Sequence, residues 1–277
     1  MVRTRRRVPA PESAPESAPG PASEPGDITL SESGGIRYLH FGTEWIQGAM
    51  RIARPYALEL EYQQQMMAPL LLLPGPRRIL QLGLGAAALT KFCHRHLPSA
   101  QTVVVELDPT VIGAARRWFE LPEEDSRLTV LCEDAFDFLQ RPRQRGSADW
   151  LQVDLYDADA RGPVYDDAGF YVACRHVLRE PGIACFNLFG RRCRPSLDLI
   201  AQAFDGRVVV MDEAQAGNRV ALAAIGEPIR IEPEQLRERA RAIEAGPGLP
   251  ARRWLKGLRR YSRAGGRRLD AQGGLSL

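Results

Sequence analysis

The chain has 277 residues, 44% hydrophobic and 26% charged, enough for one large globular domain or two small ones and unlike a fibrous or wholly disordered protein. No apolar run approaches the roughly 20 residues of a membrane-spanning helix, and the longest obvious one, 70–73, stops at Pro74. The net charge of +3 is a near-cancellation, because residues 1–26 carry +1 and residues 250–277 carry +7, leaving −5 on the body between them. An acidic body suits cationic substrates, although solubility alone would account for it.

Residues 1–26 hold the PESAPESAP phrase and six prolines, and are expected to form a disordered tail. The arginines at 3–7 are followed by prolines, not an apolar region, so secretion is not expected. Five cysteines without a CxxC pair read as reduced thiols of a cytoplasmic protein. Runs 28–30 and 36–41 around Gly34-Gly35, with a third at 45–52, form a small N-terminal β domain over 27–57. Residues 58–73 suit a helix ended by Pro74-Gly75-Pro76.

Apolar runs then alternate with helical segments. Strands are expected at 79–82, 102–107, 128–132, 150–153 and 183–188, and helices at 86–97, 109–119, 134–140 and 167–178. That alternation means an α/β fold with a parallel sheet covered on both faces, spanning 58–226. The runs 207–211 and 219–224 are joined too tightly to be parallel, so an antiparallel edge is expected. Over 227–277 a charged helix with the stripe Leu236, Ala240 and Ile243 leads into a basic tail.

Ligands of such sheets bind beyond the carboxyl ends of the strands, and those ends carry the chemistry. The first gives Gly83-Leu84-Gly85-Ala86-Ala87-Ala88, a GxGxxA turn in which missing side chains allow close approach of a ligand. The second ends in Glu106, 23 residues after Gly83, placed to accept from ribose hydroxyls. The third ends in Glu133-Asp134-Ala135-Phe136 and the fourth in Asp154-Leu155-Tyr156-Asp157. Asp108 before Pro109 reads as a helix cap; acidic residues closing three successive strands read as a nucleoside site. The pair His94 and His96 has no second ligand pair nearby, so no metal is expected.

The order glycine loop, Val105-Glu106-Leu107-Asp108, Glu133-Asp134-Ala135-Phe136, then Val153-Asp154 and Asp157 resembles the polyamine aminopropyltransferases, the spermidine and spermine synthases. The likeness covers about residues 27–226, including Ile46-Gln47 and Glu61-Tyr62-Gln63. It implies a Rossmann-like, class I methyltransferase-type doubly wound sheet with a small N-terminal β domain. It also implies that Gly83 and Gly85 shape the loop beside the sulfonium and that Glu106 holds the ribose. Asp134 and Ala135 would read the adenine, and Gln47 would touch the nucleoside from the β domain. Asp154 matches the carboxylate that helps deprotonate the attacking amine, Asp157 would hold the polyamine, and Tyr62 with Gln63 would line its channel.

The implied reaction is aminopropyl transfer from decarboxylated S-adenosylmethionine to a diamine such as putrescine, with no tightly bound cofactor. A homodimer is the expected assembly. Ala86 departs from the family, which carries an Asp there to pair with the free amine of the donor, and Ala214 falls where the family has a tyrosine. Ala86 keeps open a methyltransferase using intact S-adenosylmethionine. A catalytically silent nucleoside- or polyamine-binding protein is a third reading. NAD-dependent oxidoreduction fits GxGxxA plus Glu106 but leaves Asp134, Asp154 and Asp157 without work. The basic tail has the composition for nucleic acid or acidic lipid, but Gly265-Gly266 and Gly273-Gly274 break any helix, so a solvated tail dispensable for turnover is expected.

Overall fold

The computed structural model describes residues 28–43, 45–156, 164–189, 193–214, 217–262, 267–268 and 275–277. The expected disordered tail over 1–26 and Asp157 lie outside the described residues. Three strands, β1 (Ile28–Ser33), β2 (Ile36–Phe41) and β3 (Gly48–Arg51), form the expected antiparallel sheet in the order β1-β2-β3. The segment expected as one helix over 58–73 is instead α1 (Glu61–Gln65) and a 3-10 turn (Ala68–Leu71). Pro69 explains the break: it has no N–H to donate, and its ring would clash with the carbonyl of Gln65 in a continuous helix.

The main body alternates β4 (Arg78–Leu82), α2 (Ala88–His96), β5 (Gln101–Glu106), α3 (Pro109–Trp118), β6 (Leu128–Cys132), α4 (Ala135–Gln140), β7 (Ala148–Val153), α5 (Ala168–Val177) and β8 (Leu178–Phe189). Then follow α6 (Arg194–Ala203), β9 (Val208–Val210), β10 (Asn218–Ile225), β11 (Arg230–Ile231), α7 (Pro233–Ala245), α8 (Ala251–Gly257), β12 (Arg259–Arg260), β13 (Arg267–Arg268) and β14 (Leu275–Ser276). The large sheet has the order β13-β12-β9-β10-β8-β7-β4-β5-β6. Strands β4 to β8 are mutually parallel, while β10 runs antiparallel to both β8 and β9. The chain winds outward from β4 to β6 and returns to β7 on the other side of β4, so the winding reverses between β4 and β7. Such a reversal opens a crevice at the strand ends.

Both faces of the sheet are covered, as the unbroken apolar strands require. Ile79, Trp150, Ile183 and Leu222 face one core with Phe92 and Met66, and their neighbours Leu80, Leu151, Ala184 and Ala223 face the other with Phe170 and Phe204. Among the described residues, the C-terminal segment packs on the body instead of forming a solvated tail. Trp254 is 4% exposed and Leu258 2%, both within the first core, and β12 adds to the sheet beside β9. The β domain reaches the body through Leu39 and Met50, which pack on Ala86 and Phe119. Among the described residues no helix is long and apolar enough to cross a membrane.

Candidate active site

The row of strand ends is set by register. Leu82 pairs with both Val105 and Val153, and Glu106 pairs with Cys132, so Gly83, Glu106, Glu133 and Asp154 emerge side by side at the crevice. Main-chain bonds continue the ladder one residue further, from Gly83 N to Val105 O (2.9 Å) and from Asp154 N to Leu82 O (2.9 Å). Gly83 has φ +92°, and Gly85 has φ +49° with the Gln47 carbonyl 3.4 Å from where its Cβ would stand. The Gln47 main chain therefore lies over the glycine loop.

Glu106 spans two turns. Its Oε2 accepts from Leu84 N at 2.9 Å and its Oε1 from Asp108 N at 3.0 Å. Burial pushes its carboxyl upward while these N–H groups hold it down. The Asp108 side chain accepts from Thr110 N at 2.7 Å, the helix cap read from the sequence. Asp134 also caps a helix, its Oδ1 accepting from Phe136 N (2.8 Å) and Asp137 N (2.9 Å), and its Oδ2 accepts from the Tyr165 hydroxyl. Ala135 is buried as the first residue of α4. Asp134 thus holds one wall of the crevice in place, with Phe136 and Tyr165 packed ring to ring beside it.

Asp154 anchors the other wall. Its Oδ1 accepts from Asn187 Nδ2 at 2.8 Å and its Oδ2 from the Tyr62 hydroxyl at 3.3 Å. Burial pushes its carboxyl up to about 6, against the downward pull of those two donors. The Tyr62 phenol is raised well above its ordinary value, first by burial and then by the Asp154 charge. Gln63 is 4% exposed and donates from Nε2 to the Tyr62 oxygen at 3.4 Å, while its Oε1 has no partner among the described residues. Tyr62, Gln63 and Asp154, chosen from distant parts of the sequence, are brought together.

Three residues escaped the sequence reading. Asn187 and Asn218 are 3% and 7% exposed, and Asn218 Nδ2 donates to Asn187 Oδ1 at 3.0 Å. The Tyr156 hydroxyl donates to the main-chain oxygen of Asn187 at 2.8 Å. The available signal was an asparagine within the apolar run of β8, because a buried amide needs partners. Ala86 is 3% exposed and is covered by Gly48, whose Cβ would stand 2.5 Å from that of Ala86. His94 Nε2 meets Asp125 at 3.1 Å, and among the described residues no group of three His, Cys, Asp or Glu is arranged to hold a metal.

The crevice thus pairs a glycine loop and the Glu106 carboxylate with the Asp154 carboxylate, raised to about 6, opposite, an arrangement that can hold a nucleoside and accept a proton beside it. The Spermine/spermidine synthase domain family matches residues 59–188. A polyamine aminopropyltransferase of Chromobacterium violaceum is 33% identical over 225 residues, covering 80% of this chain and 85% of that protein. A probable spermidine synthase from Corynebacterium glutamicum superposes with a TM-score of 0.64 at 20% identity, covering 80% of this chain and 85% of that one. Human methyltransferase-like protein 13 in complex with SAH superposes with a TM-score of 0.56 at 23% identity, covering 68% and 92%. By its identity to the Chromobacterium enzyme across most of both chains, and by the family match over the glycine loop and Asp154, this chain belongs to the spermine/spermidine synthase family of aminopropyltransferases.

Proposed function

We propose that the protein transfers the aminopropyl group of decarboxylated S-adenosylmethionine to a diamine such as putrescine, in polyamine biosynthesis. The observation that carries this reading is the Asp154 carboxylate. It is held by Asn187 and Tyr62 against the glycine loop, with its proton affinity lifted to about 6. A protonated amine has no lone pair, so the acceptor must lose a proton before it attacks. A carboxylate of that affinity binds the ammonium and assists the loss, directly or through water.

In the proposed reaction the amine nitrogen bonds to the methylene beside the sulfonium, the carbon–sulfur bond breaks, and neutral methylthioadenosine leaves. Fixing donor and amine in line supplies much of the rate. Glu106 takes the ribose, Asp134 and Ala135 the adenine edge, and Gln47 the nucleoside from above. Gly83 and Gly85 keep the loop low beside the sulfur. Tyr62 and Gln63 line the amine channel, and Asp157 holds the far ammonium. A cytoplasmic homodimer belongs to the same reading.

Methyl transfer from intact S-adenosylmethionine is the second reading, favoured by Ala86, which offers no carboxylate to the donor's free amine. Incubation with each donor and an amine panel separates the two. Methylthioadenosine as product supports aminopropyl transfer, S-adenosylhomocysteine supports methyl transfer, and neither product overturns both.

A further inference from the structure

The hydrogen bonds behind Asp154 have a direction. The Tyr156 hydroxyl spends its single hydrogen on the Asn187 main-chain oxygen at 2.8 Å, which holds the backbone from which the Asn187 amide projects. The Asn218 amide turns its NH₂ end toward Asn187 Oδ1, donating at 3.0 Å. With its oxygen taken, Asn187 presents only its NH₂ end to Asp154 Oδ1 at 2.8 Å. The geometry is locked by the antiparallel pairing of β8 and β10, in which Asn187 stands opposite Val220 and Asn218 lies two residues along.

We propose that Asn218, acting through Asn187, is a positioning residue that keeps Asp154 ionised and ready to take the amine proton. A flipped Asn187 would offer an oxygen to Asp154 and favour the protonated acid instead. The groups around the carboxylate are Tyr62 from α1, Cys185 and Asn187 from β8, Tyr156 from its own loop and the glycine loop beneath. Tyr62, Tyr156 and Cys185 are all held neutral by burial, so two donors favour the charge, first the Asn187 amide and then the Tyr62 hydroxyl. This inference rests on the reading of Asp154 as the amine-facing carboxylate.

The test is the pH dependence of kcat/KM for wild type, Asn218→Ala and Asp154→Asn with decarboxylated S-adenosylmethionine and putrescine. Asn218→Ala is expected to move the acid limb up by about one pH unit, with about a fivefold loss near pH 6, about tenfold near pH 5, that recovers above pH 8. A merely structural role would lower the rate by the same factor at every pH. Should Asn218→Ala fail to fold, Asn218→Leu keeps the volume while removing the same donor and is expected to move the limb the same way. An unmoved limb in the folded variant overturns the relay. An inactive wild type, or a fully active Asp154→Asn, overturns instead the reading beneath it.

Discussion

A Cβ on Gly83 would stand 2.2 Å from the main-chain oxygen of Asp154. The donor loop and the proposed proton acceptor are therefore in direct backbone contact across the crevice between β4 and β7. Gly83→Ala must push the two apart and also hold an alanine at φ +92°. Overpacking of this kind costs about 1–3 kcal/mol. The expected result is a lower Tm together with a large fall in kcat, because the same displacement moves the amine-facing carboxylate. A Tm drop with unchanged kcat would mean that Asp154 is not aligned through this contact.

Asp154 makes opposite predictions for rate and for stability. Its carboxyl is raised to about 6, so kcat/KM should fall as pH drops through that value and the base becomes protonated. Stability runs the other way. A raised carboxyl contributes stability that is fully present below its unfolded value of 3.8 and is lost as pH rises through about 6. Ionised at pH 8, it costs on the order of 3 kcal/mol. Asp154→Asn should thus abolish most turnover, by about 10²-fold or more, yet raise resistance to urea at pH 8. The gain should vanish near pH 4, and a destabilised variant at pH 8 would contradict the assignment.

The parallel strands were legible in the sequence because strands buried on both faces read as unbroken apolar runs, and their carboxyl ends then locate Gly83, Glu106 and Asp154 directly. The support behind Asp154 was not. Asn218 arrives on the antiparallel return strand, and no local pattern says which amide it will face. α6 was missed although Leu197, Ile200 and Ala203 form its buried stripe, because Arg194-Pro195 at its start reads as loop. α8 was hidden by charge, since Trp254 is buried between exposed Arg253 and Lys256 in a seven-residue helix too short for a periodic signal.

That hidden helix reverses the expectation that residues 246–277 are dispensable. Trp254 and Leu258 fill the same core as Trp150, and Leu277 exchanges main-chain bonds with Ile229 at 2.8 and 2.9 Å. Trp254→Ala should cost about 3–5 kcal/mol, read as a fall in the urea midpoint, and deletion of 246–277 should yield insoluble or protease-sensitive protein. A soluble, fully active truncation would show that this segment is an appendage after all.

Gly48 governs how closely the β domain sits on the donor loop. Its Cβ would lie 2.5 Å from Ala86 Cβ and 2.9 Å from Ala86 N, both on the loop that continues into α2. Gly48→Ala should lift β3, and with it Gln47, off Gly85. The expected signature is weaker methylthioadenosine binding by calorimetry and a raised KM for the donor, with the amine KM little changed. Equal loss for both substrates would place the contact in general stability and not in donor binding.

Lys91 offers a readout independent of the site. It is 1% exposed, donates from Nζ to Phe119 O at 2.7 Å, and is lowered to about 8, chiefly by burial, with Glu120 opposing. Between about 8 and 10.5 the unfolded chain holds this proton more tightly than the folded one, so stability should rise with pH across that window. Lys91→Met keeps the apolar stem, removes the buried charge, and should stabilise the protein at pH 7 while flattening the rise above pH 8. Because Lys91 lies beneath Phe119 and outside the crevice, turnover should change little. If Lys91→Met instead destabilises at pH 7, the bond to Phe119 outweighs the cost of burying the ammonium.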